Sequence, residues 1–251
     1  MNTKKMRGCL LLIGESFRIG SQGSRVIHET AIPKQMDACK SHLQLVNTLL
    51  SKNIEMNVVV VTYSTPYNPL LQSYYDNINA KYIFIDGPRL GYAGIVKRAL
   101  RCVCIEPYDF LLLLRVDLLL SDLFTTVYNP FNNRITFPSI CMKDVDVTTN
   151  RFPQPADTMF HIPCKFFETF VQCVHIVPNY NDLHIMWEIL CRFGHLTYES
   201  LDTMVPTYHD SDSEKDYNPL YTIINRPRRN QPVTPQHILF DKYDARYRPA
   251  L

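Results

Sequence analysis

Arg115 and Asp117 stand one residue apart at the close of a long apolar run between Tyr108 and Phe124. The run is bounded by Glu106-Pro107 before it and Ser121-Asp122 after it, and reads as a strand buried on both faces of a mainly parallel sheet. Side chains on a strand alternate faces, so residues i and i+2 point the same way, and this guanidinium and carboxylate should project together at the strand's end. Charge taken out of water needs a partner. A metal ion, a phosphate or a structural salt bridge would each supply one, and the spacing leaves all three open.

A second group of polar residues follows the first strand, Cys9 to Ile13. Gly14, Glu15, Ser16, Arg18, Gly20 and Ser21 form a loop with glycines, hydroxyls and a cation. Ligands of open α/β sheets bind outside the carboxyl ends of the strands, so this loop is a candidate for gripping a nucleotide. It contains neither a P-loop nor a dinucleotide glycine fingerprint, and an ordinary strand-to-helix connection is the competing reading. Thr62 and Asp86 close the next two strands, and Lys97 lies in the helix that follows; with Arg115 and Asp117 they complete a candidate nucleotide-gripping set. Further along, Asp157 stands in the segment Gln154 to Pro163, and His209 in an acidic, hydroxyl-rich stretch up to Tyr221. Arg226, Arg228 and Arg229 offer guanidinium groups suited to phosphate oxygens. The plainer alternatives are a turn-capping aspartate, a solvated loop and a solvated tail.

The elements that would position these residues alternate. After the first strand, Met36, Cys39, Leu43, Val46 and Leu50 recur at helical spacing between Pro33 and Lys52. A β-branched strand runs from Met56 to Thr62, a short helix from Pro69 to Ile78, a third strand from Lys81 to Asp86, and a helix from Gly91 to Val103. Alternation of this kind gives a parallel sheet with right-handed crossovers. Past Phe124, turns at Asn129-Pro130 and Asn132-Asn133 lead to a strand from Arg134 to Cys141, and a polar loop from Lys143 to Arg151 has the length of a functional lid. The segment Gln154 to Pro163 feeds a helix that buries Phe166, Phe167, Phe170, Val171 and Val174, and another helix from Asp182 to Phe193 carries Met186 and the single tryptophan, Trp187, in the core.

With 251 residues, 46% of them hydrophobic, the chain can bury a large core. Its 26 basic and 24 acidic residues leave a formal charge of +2, too little to steer it to nucleic acid, so any anion site must be local. None of the eight cysteines forms a Cys-x-x-Cys pair, and most lie in apolar segments, as reduced core thiols do. The apolar run Cys9 to Ile13 behind Lys4, Lys5 and Arg7 is too short for a signal peptide or a membrane span. A soluble, cytoplasmic protein is expected.

The stretch Gly91 to Asp117 resembles the core of the GT-A glycosyltransferases, in which a helix of the type Gly-Lys-x-x-x-x-Asn-x-x-Leu leads into an apolar strand ending in Asp-x-Asp. Gly91 and Leu100 match the helix, Lys97 stands at the asparagine position, and Leu114-Arg115-Val116-Asp117 overlies the strand end. The continuation to Phe124 is similar to that fold's passage into its next element, while Arg115 replaces the first aspartate. The resemblance implies one GT-A-like domain over residues 1–225, with a nucleotide-sugar half at 8–124, an acceptor half at 125–225 and a Pro/Arg-rich tail at 226–251. It further implies an inverting glycosyltransferase acting on a nucleoside-diphosphate sugar and a glycan or other hydroxyl acceptor. Asp117 and His209 would hold Mn2+ or Mg2+, Arg115 would touch phosphate or sugar, and Asp157 would take the acceptor's proton. Anchorless enzymes of this kind are encoded by bacteria and large DNA viruses. A non-catalytic nucleotide- or glycan-binding protein and a sugar nucleotidyltransferase are the alternatives on the same strand layout.

Overall fold

A computed structural model describes residues 5–20, 26–88, 90–138, 140–141, 154–155, 158–179, 183, 186, 198–200 and 220–224, with backbone alone at 140–141, 154–155 and 198–200. The first half of the chain contains β1 (Met6–Gly14), the short pair β2 (Arg18–Ile19) and β3 (Val26–Ile27), α1 (Ile32–Ser51), β4 (Ile54–Tyr63), α2 (Asn68–Tyr74), β5 (Lys81–Ile85) and α3 (Tyr92–Leu100). Then come β6 (Phe110–Arg115), β7 (Leu118–Leu120), α4 (Asp122–Val127), β8 (Ile135–Phe137), β9 (Ile140–Cys141), β10 (Gln154–Pro155), β11 (Met159–Pro163), α5 (Phe167–Ile176), β12 (Tyr198–Ser200) and β13 (Tyr221–Ile223).

Seven strands form the central sheet in the order β5-β4-β1-β6-β11-β8-β12. From β5 to β6 all neighbours are parallel, β11 runs antiparallel to both β6 and β8, and β12 is parallel to β8. The architecture is α/β with a mainly parallel sheet and helices on both faces. Strand alternation sorts the apolar runs into two cores. Leu10, Leu12, Val58, Val60, Leu112 and Leu114 face Leu45, Leu49 of α1 and Leu71 of α2, whereas Cys9, Leu11, Ile13, Val59, Val61, Leu111 and Leu113 face Ile95 and Val96 of α3 and Phe170 and Val174 of α5. Each fully buried leucine or valine contributes about 1.5–3 kcal/mol before the entropy of ordering it is subtracted. Gly8 lets β1 pass under the Phe110 ring, because a Cβ there would lie 2.3 Å from Phe110 Cζ and 2.6 Å from Met56 Sδ.

Four expectations change in detail. The apolar run does not continue as one strand: β6 stops at Arg115, the chain turns at Val116-Asp117, and β7 pairs antiparallel with β13. The buried stripe of α1 is rotated, covering Gln35, Cys39, His42, Val46 and Leu49 and leaving Leu50 exposed. Rotation is tolerated because the polar side chains that it buries are each held: Gln35 bonds to Phe17 and Val116, and His42 bonds through Nδ1 to Tyr75. Cys9, Cys39 and Cys173 are buried free thiols as expected, but Cys102 and Cys104, past the end of α3, are exposed. On α5 the buried residues are Phe167, Phe170, Cys173 and Val174, and Pro163 ends β11 instead of opening the helix. Met186 is in the core; Trp187, most of the helix expected around it, the polar loop 143–151 and the tail 226–251 lie outside the described residues.

Candidate functional site

Because β1, β4, β5 and β6 run the same way, their carboxyl ends gather on one edge of the sheet. Register sets the row, with Gly14 beside Thr62, Thr62 beside Phe84 and Ile13 beside Arg115. Gly14 takes φ +123, a conformation that strains any residue with a side chain, and turns the chain out of β1. Thr62 and Ser16, both buried, hold the loop from opposite sides: their hydroxyls lie 3.1 Å apart, and Ser16 N–H reaches Thr62 Oγ1 at 3.3 Å. Phe17 adopts φ +53 with its ring fully buried, and its N–H donates to Gln35 Oε1 at 3.2 Å. Arg18 is buried too. Its Nε lies 3.5 Å from Glu15 Oε1, and its guanidinium sits 5.7 Å from the centre of the Tyr63 ring. Tyr63 Oη in turn donates to Leu90 O at 3.0 Å and accepts from Leu90 N at 2.8 Å, fastening the entrance to α3.

At the neighbouring strand end Arg115 grips Asp117 through two parallel bonds, Nε to Oδ1 at 2.9 Å and Nη2 to Oδ2 at 2.7 Å. Fork-to-carboxylate geometry of this kind is the strong form of the ion pair. Asp117 is only 1% exposed and the Arg115 side chain 12%. The backbone of the turn is fixed as well: Arg115 N donates to Thr158 O, Val116 N to Ile13 O, Gln35 Nε2 to Val116 O, and Ile224 N to Asp117 O. The Tyr92 ring lies 5.7 Å from the Arg115 guanidinium. Arg115 and Asp117 thus come together at the strand end, as their spacing requires, and they meet each other.

Gly14, Glu15, Ser16, Arg18, Thr62, Arg115 and Asp117 all belong to this edge, and Asp86 stands exposed where β5 leaves it, ahead of Gly87 at φ +103. Lys97 is turned to other work. Its ammonium donates to Val177 O and, at 3.0 Å, to Asn179 Oδ1, which straps α3 to the chain leaving α5. Asp157 and His209 lie outside the described residues. Thr158, the chain neighbour of Asp157, is buried, and its Oγ1 has no hydrogen-bond partner among the described residues.

Gln35 is the site residue that the sequence reading missed. It lies on the first turn of α1 and joins the two loops through one carboxamide, with an acceptor for Phe17 and a donor for Val116. A polar residue one position before an apolar stripe gives no signal by itself; the partners are distant in sequence. The return of β13 beside β7 was equally hidden, since Tyr221-Thr222-Ile223 is only three residues long.

A divalent cation fits these residues poorly. Both oxygens of Asp117 already accept from Arg115, and among the described residues no group of three or more His, Cys, Asp or Glu could hold a metal ion.

No family model matches the chain, and no curated protein does. Solved structures do. The fold is similar to that of 4-diphosphocytidyl-2C-methyl-D-erythritol synthase from Anaerococcus prevotii, with a TM-score of 0.51 and 11% identity over 97% of this chain and 99% of that one. It is similar also to Drosophila β1,4-galactosyltransferase 7 in complex with manganese, UDP-Gal and xylobiose, at TM-score 0.49 and 11% identity over 94% and 79% of the two chains. The inositol-1-phosphate CTP transferase from T. maritima gives 0.46 and 12%, covering 80% and 91%. At such identities the likeness is one of fold. That fold is GT-A-like, in agreement with the resemblance read from Gly91 to Asp117. No helix among the described residues is long and apolar enough to cross a membrane.

Proposed function

We propose that this protein is a nucleotide-sugar transferase that moves a sugar from a nucleoside-diphosphate donor to a hydroxyl group of a glycan acceptor. The observation that carries the reading is the gathering of four parallel strand ends, with the buried Arg115–Asp117 pair at the end of β6 and Asp86 at the end of β5, on one edge of a GT-A-like sheet. The donor would lie along that edge, outside the carboxyl ends of the strands. Charge develops on the diphosphate as the bond to the anomeric carbon breaks, and a preorganised guanidinium there stabilises it without rearranging. The acceptor oxygen forms the new bond to that carbon and gives up its proton, for which Asp157 is our candidate base. Its chain neighbour Thr158 lies against Arg115 through a backbone hydrogen bond of 3.1 Å, which supports placing the acceptor on that side.

A sugar nucleotidyltransferase is the second reading, favoured by the full-length likeness to the Anaerococcus protein. Such an enzyme needs an open, glycine- and cation-rich loop after the first strand to receive a triphosphate. Between Gly14 and Gly20 the loop is instead tied down, with Ser16, Phe17 and Arg18 buried and Ser16 spent on Thr62. This supports transfer of the sugar over transfer of the nucleotide.

Product analysis separates the two. Sugar nucleotides incubated with hydroxyl acceptors should release nucleoside diphosphate, and nucleoside triphosphates with sugar phosphates should release no pyrophosphate; the reverse pattern overturns the proposal. Replacing Asp157 by Asn should lower turnover about 10²- to 10⁴-fold with donor affinity unchanged. A product that keeps the donor's anomeric configuration would exclude Asp157 as the base of an inverting transfer.

A further inference from the structure

We infer that the cation at the end of β6 is carried by the protein itself: Arg115 occupies the carboxylate that would otherwise hold a divalent metal, and Asp117 is its positioning counter-ion. This deepens the proposed function, since it assigns how that site meets a diphosphate. Three observations lead to it. Both oxygens of Asp117 are engaged, at 2.9 and 2.7 Å, by one planar guanidinium, so a metal could bind only after a two-bond, nearly buried ion pair had been broken. The displaced guanidinium would stay within a few ångström of the metal, like charge against like, held by the backbone bonds of Arg115 and Val116 to Thr158 and Ile13. The turn also has little freedom to present Asp117 elsewhere, because Gln35 fixes Val116 O, and Ile224 N fixes Asp117 O.

A guanidinium differs from a metal in what it offers. Its charge is permanent at every working pH and spread over a planar fork, and it binds phosphate oxygens through hydrogen bonds in that plane. A manganese ion would instead have to be recruited and then ligated by oxygens. The structure therefore predicts a donor site indifferent to chelators.

The test uses the full-length wild-type protein and Mn2+ itself. In ¹⁵N-labelled protein, stoichiometric Mn2+ with and without UDP should leave the amide resonances of Val116, Asp117 and Leu118 sharp; selective broadening of these three overturns the inference. Titrations with UDP, CDP and GDP are run in parallel, in EDTA and in Mn2+. Dissociation constants that agree within about twofold support it, and binding that vanishes in EDTA overturns it, whichever residues hold the metal. Should none of the three nucleotides bind under either condition, the transferase reading fails, and the broadening experiment still decides whether Asp117 is open to a metal. Asp117→Asn gives a further check in protein shown to be folded by circular dichroism. Its Mn2+ affinity should equal that of wild type, and a tenfold loss would show that Asp117 is a ligand after all.

Discussion

On one flank of β6 the strands β1, β4 and β5 run parallel to it, and on the other β11 runs back; each flank buries one histidine against one tyrosine. His42 Nδ1 lies 2.8 Å from Tyr75 Oη beneath the parallel flank, and His161 Nδ1 lies 2.9 Å from Tyr128 Oη within the antiparallel one. The surrounding polar groups differ in purpose. Around His161, Asn132 O accepts from the ring's second nitrogen, Nε2, at 3.0 Å, and Asn132 Nδ2 donates to Thr136 Oγ1, so the network clamps the turn before β8 to β11. On the parallel flank, Gln35, Ser16, Thr62, Arg115 and Asp117 bond across loops instead of within a sheet. Strand direction accounts for the contrast. Parallel strands bring their carboxyl ends to one edge, where polar groups must arrange loops; antiparallel strands alternate their ends, and the network around His161 holds the sheet together.

The largest effect expected is acid loss of stability from both flanks at once. Burial pushes His42 and His161 down to about 4 from an ordinary value of 6.5. Above pH 6.5 neither ring takes up a proton on unfolding, so stability is flat. Between pH 6.5 and 4 the unfolded chain binds two more protons than the folded one, and stability should fall by roughly 3 kcal/mol per histidine by the bottom of the window. Urea titrations across this range measure it, and His161→Gln should cut the two-proton slope to one. A one-proton slope in the wild type would mean that only one ring is buried as a neutral group, and a flat profile that neither is.

Asp117→Ala comes next. It leaves the Arg115 guanidinium nearly buried and unpaired, a loss of about 3–5 kcal/mol, read as a fall of roughly 2–4 °C in Tm per kcal/mol for a chain of this size. The double variant Arg115→Met with Asp117→Leu should recover most of the stability while losing donor binding, which separates the pair's structural part from its functional one. Gly8→Ala should cost about 1–3 kcal/mol through the clash with Phe110 and leave nucleotide affinity alone. Smallest is Lys97→Met, which loses the strap to Val177 and Asn179, about 0.5–1.5 kcal/mol. Donor affinity unchanged in that variant would confine Lys97 to packing; a weakened donor would return it to the site.

Much of the parallel flank was legible in the residues. Runs such as Val58 to Val61 and Leu111 to Leu114 can be strands buried on both faces and little else, and the polar residues closing them fall at the site by register alone. The pairing of Arg115 with Asp117 was one of the three partners that their spacing allowed. What the pattern did not carry were contacts made far along the chain. Gln35 reaches Val116 across 81 residues, and β13 returns to β7 across about a hundred, each through one or a few residues whose type is unremarkable. The bonds of Lys97 were not legible, because its place in a helix pattern says nothing about which of several nearby carbonyls will bind its flexible ammonium. The rotated stripe of α1 has a similar cause, since Gln35 and His42 look like surface residues until their buried partners are known.

The most direct test of a donor site at the gathered strand ends is a crystal structure with a bound nucleoside-diphosphate sugar, grown in EDTA. The account predicts the diphosphate over the ends of β1, β4, β5 and β6, with a phosphate oxygen about 3 Å from the Arg115 guanidinium. A nucleotide seated away from that edge, or a diphosphate that reaches Asp117 only through a metal ion after Mn2+ is added, would contradict it.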